Sequence, residues 1–129
     1  MADTLVLDTN AFNEKGIFHF LASYPGRKVL PSVAAAEYYH HLRVQRAWTV
    51  AKFLSLLRET GLTVEPLDVH KALAAVEVAG KDFPGDPMDA LIGAHALAAG
   101  RVLITRNLED HPHVARKRTP ADLMAQGPG

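Results

Sequence analysis

Four short apolar runs recur along the chain, separated from one another by stretches of helical character, and this alternation limits the fold more than any other feature. The runs are Thr4-Leu5-Val6-Leu7, Lys28-Val29-Leu30, Leu62-Thr63-Val64 and Arg101-Val102-Leu103-Ile104-Thr105. Each has the length and near-continuous apolarity of a strand covered on both faces. Between them, Ala11 to Tyr24 reads as a helix interrupted by Gly16 and stopped by Pro25-Gly26. Pro31-Ser32 opens a second helix reaching about Gln45, Arg46 to Thr60 continues helically, and Gly61 ends that stretch. Asp68 caps a helix running to Val78 or Ala79, followed by a loop at Lys81 to Gly85. Asp86-Pro87-Met88-Asp89 has a cap, a first-turn proline and a first-turn acid, the grammar of a helix start; that helix runs to about Ala99 and Gly100 closes it. Val114 to Arg118 reads as a basic edge strand, and Thr119-Pro120-Ala121-Asp122 as the start of a last helix. Strands alternating with helices predict an α/β three-layer sandwich with a mainly parallel central sheet of four or five strands. At 129 residues the chain has room for one domain, read as 1–126 with a flexible tail at 127–129.

Composition removes several function classes. With 14 Lys plus Arg against 14 Asp plus Glu, no global basicity announces a polyanion, so any phosphate backbone is met locally. The absence of cysteine excludes disulfides, thiolate zinc sites and a Cys nucleophile, leaving oxygen and imidazole for metal chemistry. Met1 to Asp8 carries no basic residue, unlike a secretory leader, and the longest nearly apolar stretch, Ala90 to Gly100, falls short of the roughly 20 residues a bilayer requires. The expectation is a cytoplasmic protein without a membrane partner.

In open parallel sheets ligands sit beyond the carboxyl ends of the strands, where strand order reverses. Asp8 ends the first run, Asp110 lies in the loop after the fourth, Asp89 sits one turn into a helix, and Glu37 occupies the second turn of the helix after the second run. If the first and fourth strands are neighbours, these acids share one sheet edge. Two charges about 5 Å apart repel by roughly 3 kcal/mol even at an effective dielectric near 20. Protonation or cations must compensate, and hard oxygen donors favour Mg²⁺ or Mn²⁺. Each acid also has a local explanation: Asp8 in a polar turn, Asp89 favoured by the helix dipole, Glu37 as a solvated helix acid, Asp110 as a loop or cap residue. Only their joint placement points to a cation. The Arg46 to Thr60 stretch has an apolar arc wider than one core contact requires, which burial within the monomer or a second subunit would account for.

These residues fall into an ordered pattern: Leu5-Val6-Leu7-Asp8-Thr9-Asn10, then Pro31-Ser32-Val33 leading to Glu37, then Asp89-Ala90-Leu91-Ile92-Gly93-Ala94-His95-Ala96-Leu97, then Ile104-Thr105-Arg106-Asn107 leading to Asp110. On that pattern the chain resembles the PIN-domain nucleases, most closely the small VapC-type toxin ribonucleases. The resemblance implies a PIN-like fold and a Mg²⁺- or Mn²⁺-dependent endoribonuclease, with Asp8, Glu37, Asp89 and Asp110 holding the ion. Thr9, Asn10, Thr105 and Asn107 would support the site; by their position beside it, apart from the resemblance, Arg106 and His111 are candidate RNA contacts. Water activated by the ion would attack phosphorus in line, leaving a 5′-phosphate and a 3′-hydroxyl. The family further implies a homodimer and a cognate VapB-type antitoxin. His111 departs from the aromatic residue many relatives carry after the last acid, and the even charge departs from their basicity. Two basic stretches, Arg27, Lys28, Arg43, Arg46, Lys52 and Arg58, then Arg101, Arg106, Arg116, Lys117 and Arg118, read equally as patches that steer a phosphate backbone and as solvated faces.

Rival readings fare less well. A haloacid dehalogenase-type phosphatase needs a second Asp where Asn10 stands, and a receiver domain needs paired acids after its first strand and a late Lys. A metal-free ribonuclease needs two convergent histidines, but His40 and His41 diverge by about 100° on a helix, which assigns them to surface or packing, and His111 and His113, near the proposed site, read as solvated loop residues or RNA contacts. The alternative kept open is a catalytically silent PIN-fold module that binds RNA or protein.

Overall fold

Leu5, Val6 and Leu7 are each at most 1% exposed, which only a central position in a covered sheet provides. The computed structural model describes residues 2–82, 86–97 and 101–127. Its strands are β1 (Thr4–Leu7), β2 (Lys28–Pro31), β3 (Thr63–Glu65), β4 (Arg101–Ile104) and β5 (Lys117–Arg118). They form one sheet in the order β3-β2-β1-β4-β5, every pair parallel. From β1 the chain first builds outward through β2 and β3, then returns to β1's other edge with β4. Strand order therefore reverses between β1 and β4, with Leu7 beside Ile104 at the carboxyl end.

The helices are α1 (Ile17–Ser23), α2 (Ser32–Arg46), α3 (Val50–Thr60), α4 (Val69–Ala79), α5 (Pro87–Ala94) and α6 (Pro120–Gln126). α1 packs against α3 and α6, while α5 packs against α4 and α2, and together they flank the sheet as the outer layers of a three-layer α/β fold. The expected sandwich with a parallel sheet is what the chain forms.

Several boundaries differ from the sequence reading, each for a local reason. The helix expected over Ala11 to Tyr24 is a 3₁₀ turn at Thr9–Asn13 and then α1, separated at Gly16, whose φ of 83° suits glycine. The break between the second and third helices lies at Ala47–Thr49, not before Arg46. Ala47 takes a left-handed φ of 53° to close α2, and the Thr49 hydroxyl caps α3 by accepting the Lys52 N–H. Strand β3 begins one residue later than expected, because the Leu62 N–H still bonds back to Leu57 and Glu65 becomes the inward residue at 8% exposure. The basic edge strand expected from Val114 shrinks to Lys117–Arg118. α5 passes into a 3₁₀ turn at His95–Leu97, and the helix end expected at Ala99–Gly100 lies outside the described residues, as do Phe83–Gly85 of the preceding loop and Pro128–Gly129 of the tail. Asp86, Asp68 and Thr119 cap their helices as read from the sequence.

Gly93 in α5 decides how close that helix comes to the loop after β4. A Cβ there would lie 2.5 Å from His113 Nε2 and 3.1 Å from Val114 Cγ2, both on buried residues. Alanine's intrinsic helix preference of about 1 kcal/mol is outweighed by this overlap. Gly93→Ala is expected to destabilise the fold by about 1–2 kcal/mol net, read as a lower urea midpoint at unchanged slope.

Candidate metal centre

Asp8 follows β1 directly, at the strand-order reversal, and is 5% exposed. Its carboxylate is held on both oxygens: the Thr9 N–H donates to Oδ1 at 2.7 Å, and the Thr105 hydroxyl donates to Oδ2 at 2.8 Å. Thr105 follows β4 and is itself fully buried, so two neighbouring strands deliver donor and acceptor to one point. The Asn107 N–H donates to the Thr105 hydroxyl at 3.2 Å, which leaves that hydroxyl's proton for Asp8. Asn10 supports the same junction through its side-chain oxygen, which accepts the Arg106 N–H at 2.9 Å. These contacts knit the loop after β1 to the loop after β4.

Asp89 reaches the cluster from the first turn of α5, whose start is fixed by Asp86 accepting the Met88 N–H at 2.9 Å. Burial pushes the Asp89 carboxyl above its ordinary range; His111 opposes this, while the negative charges of Asp86, Asp8 and Asp110 add to it. Glu37, on α2, accepts the Thr9 hydroxyl at 3.0 Å. Asp8, Glu37 and Asp89 line one open cleft of about 370 Å³, together with Thr9, Asn10 and Asn13.

Asp110 is placed differently. It sits exposed in a 3₁₀ turn, Leu108–Asp110, and does not line the cleft, although its charge is felt at Asp89. The residue that turns inward is its neighbour His111, fully buried with Nε2 3.2 Å from Asp8 Oδ2 and 3.9 Å from Asp89 Oδ1. Donor atoms of Asp8, Asp89 and His111 all lie within 4.8 Å of one another, a set that fits a divalent ion. The expectation that His111 touches RNA is corrected by that burial, while Arg106 remains exposed. His41 also faces the cleft, where sequence reasoning assigned it to surface or packing. The signal was present: His41 follows Glu37 by four residues and so shares its helix face.

The basic stretches are largely engaged elsewhere. Lys28 is buried and donates to the Leu21 carbonyl at 2.7 Å, and burial pushes its amine below the ordinary range. Arg116 pairs with Asp3 at 3.2 Å, and Lys117 donates to the His111 carbonyl at 2.9 Å. Arg101 donates twice to Glu65, at 2.8 and 2.9 Å. That pair also holds His95, fully buried with Nδ1 2.7 Å from Glu65, and the Arg101 hydrogen bonds drive the Glu65 pKa down to about 2. An ionised Glu65 makes His95 the donor there, so the ring carries its proton on Nδ1.

Fold and site together define a three-layer α/β protein with a carboxylate-rich cleft at its topological switch point. The PIN domain family model matches residues 5–117, and the chain belongs to that family. Among solved structures the chain is similar to the DNA-bound VapBC from Salmonella typhimurium, with 24% identity and a TM-score of 0.65 over 93% of this chain and 99% of that one. No curated protein matches the sequence significantly. Among the described residues no helix is long and apolar enough to cross a membrane.

Proposed function

We propose that this protein is a divalent-metal-dependent endoribonuclease, the toxin of a VapBC-type toxin–antitoxin pair. The observation that carries the reading is the convergence of Asp8, Glu37 and Asp89 on one open cleft at the strand-order reversal. Concentrated negative charge repels a phosphate backbone, and only a cation converts it into a binding site. The donor set fits such an ion: buried Asp8 oxygens held by donors, a second carboxylate, and a buried imidazole, all within 4.8 Å. Asp8 and Asp89 would hold it, with Glu37 at the rim. When bound, the ion supplies Lewis acidity and shields the phosphate from the carboxylates.

The chain's own residues do the positioning. Thr105 and the Thr9 N–H keep the Asp8 carboxylate from rotating, so no reorganisation is needed when charge develops. The Thr9 hydroxyl steers Glu37 toward the cleft. Arg106, exposed on the loop whose backbone bonds to Asn10, would meet a phosphate beside the site. The fold shared with a VapBC structure supports a VapB-type antitoxin as partner. Val50 and Leu54 of α3 remain 58% and 52% exposed, so the apolar arc is not spent within the monomer, which supports a homodimer.

The test is incubation of the purified chain with RNA in Mg²⁺ or Mn²⁺, with and without EDTA. Fragments bearing 5′-phosphates are expected with the ion and none after chelation, and Asp89→Asn is expected to lose the activity while still binding RNA. RNA that stays intact with either ion, or equal background turnover in wild type and Asp89→Asn, would leave the silent binding module as the reading.

A further inference from the structure

We propose that His111 is a direct ligand of the divalent ion, taking with Asp8 and Asp89 the place expected for Asp110, and that this nitrogen makes the site prefer transition ions such as Mn²⁺ to Mg²⁺. The inference rests on the divalent centre proposed above and adds to it the identity of one donor and the resulting choice of ion.

The geometry is that of a coordination set. Nε2 of His111 lies 3.2 Å from Asp8 Oδ2 and 3.9 Å from Asp89 Oδ1. Donors bonded to one ion at about 2.1 Å sit roughly 3.0–3.4 Å apart, so a small closure of Asp89 completes the set. A simple hydrogen bond accounts for less. An Nε2–H donated to Asp8 explains the shorter distance, but it places no ion between the Asp8 and Asp89 carboxylates. A cation among the three donors answers both contacts at once.

Burial supplies the second argument. The His111 ring is 0% exposed, and its Nδ1 has no hydrogen-bond partner among the described residues. A ring kept inside with Nε2 aimed at two carboxylates is placed for a strong interaction at that atom. The backbone holds it there: the His111 N–H bonds to Leu108, and its carbonyl accepts from Val114 at 3.1 Å and from Lys117 at 2.9 Å. Asp110, one residue earlier, is turned outward by the same loop.

The chemistry of the donor then selects the ion. Mg²⁺ is a hard ion served by carboxylate and water, whereas imidazole nitrogen strengthens binding of first-row transition ions along the Irving–Williams order. Two carboxylates and one imidazole thus favour Mn²⁺ over Mg²⁺ more than four carboxylates would.

Pulsed electron paramagnetic resonance on the full chain loaded with Mn²⁺ tests this without any activity readout. The expected spectrum contains coupling to a directly bound nitrogen that changes when the histidines are ¹⁵N-labelled. His111→Gln is expected to lose that coupling and about 10- to 100-fold in Mn²⁺ affinity. Asp110→Asn and His41→Ala are expected to keep it. The labelled wild type with His41→Ala carries the test if His111→Gln does not fold, since His41 is exposed and lines the cleft itself. Mn²⁺ bound with no nitrogen coupling, or a coupling lost in His41→Ala, overturns the assignment of His111 and leaves the centre standing. No Mn²⁺ uptake overturns both.

Discussion

Asp8→Asn is expected to lower ion-dependent RNA cleavage by at least about 10²- to 10³-fold, because it removes the charge of a cleft carboxylate that donors hold on both oxygens. The substitution is nearly isosteric and its neighbours adapt. The Thr105 hydroxyl can turn to accept, and the His111 ring can exchange tautomers, so the new amide finds partners. Removing the charge also relieves Asp89, which Asp8 now pushes toward protonation. The ion-free variant is therefore expected to melt at or above the wild-type temperature. Addition of Mn²⁺ is expected to stabilise the wild type, by about 2.7 kcal/mol at one hundred times the dissociation constant, and the variant much less. Single-turnover cleavage and melting curves with and without Mn²⁺ check both halves. Full cleavage by Asp8→Asn would remove the proposed reaction from this cleft.

Arg101→Met is expected to cost about 3 kcal/mol of stability and to leave the cleft chemistry in place. Glu65 would remain nearly buried without its bidentate partner, and breaking one side of such a pair typically costs about 3–5 kcal/mol. The lower end applies because His95 still donates and Arg27 and Lys71 stand 3.7 and 3.9 Å away. Glu65→Gln with Arg101→Met together is expected to cost less than Arg101→Met alone, since no buried charge is stranded. The pH dependence follows from the depressed Glu65 pKa. A carboxyl that ionises at about 2 in the fold and near 4.5 in the open chain stabilises fully above about pH 4.5, and that contribution fades as pH falls through about 2. The gap between wild type and Arg101→Met is thus expected to be constant near neutrality and to narrow below about pH 4.5. Urea denaturation at several pH values measures it; a gap that persists at pH 2 would show that Arg101 acts through packing instead.

The parallel sheet and the caps at Asp68, Asp86 and Thr119 were legible because local chemistry dictates them: apolar runs seek burial on both faces, and side-chain oxygens satisfy the open N–H groups of a helix start. The acids after β1 and on α2 and α5 were legible too, since a strand end and a helix turn give each a known direction. Glu65 was not. It closes a three-residue strand, and nothing nearby in sequence announces that Arg101, 36 residues away, and His95 will pair with it. The choice between Asp110 and His111 was equally hidden, because a short 3₁₀ turn decides which of two adjacent side chains points inward.

Thus the order of strands and helices, the acids at the carboxyl edge and the lack of thiolate chemistry follow from the amino-acid sequence alone, through periodicity, capping and composition. Only the tertiary structure decided that Asp8 and Thr105 would meet across 97 residues and that Asp89 would face them. It also decided that the His111 ring, and not the Asp110 carboxylate, would be buried beside Asp8 and Asp89. Those outcomes depend on strand register and loop path, and both are settled by the packing of distant segments, which no local pattern encodes.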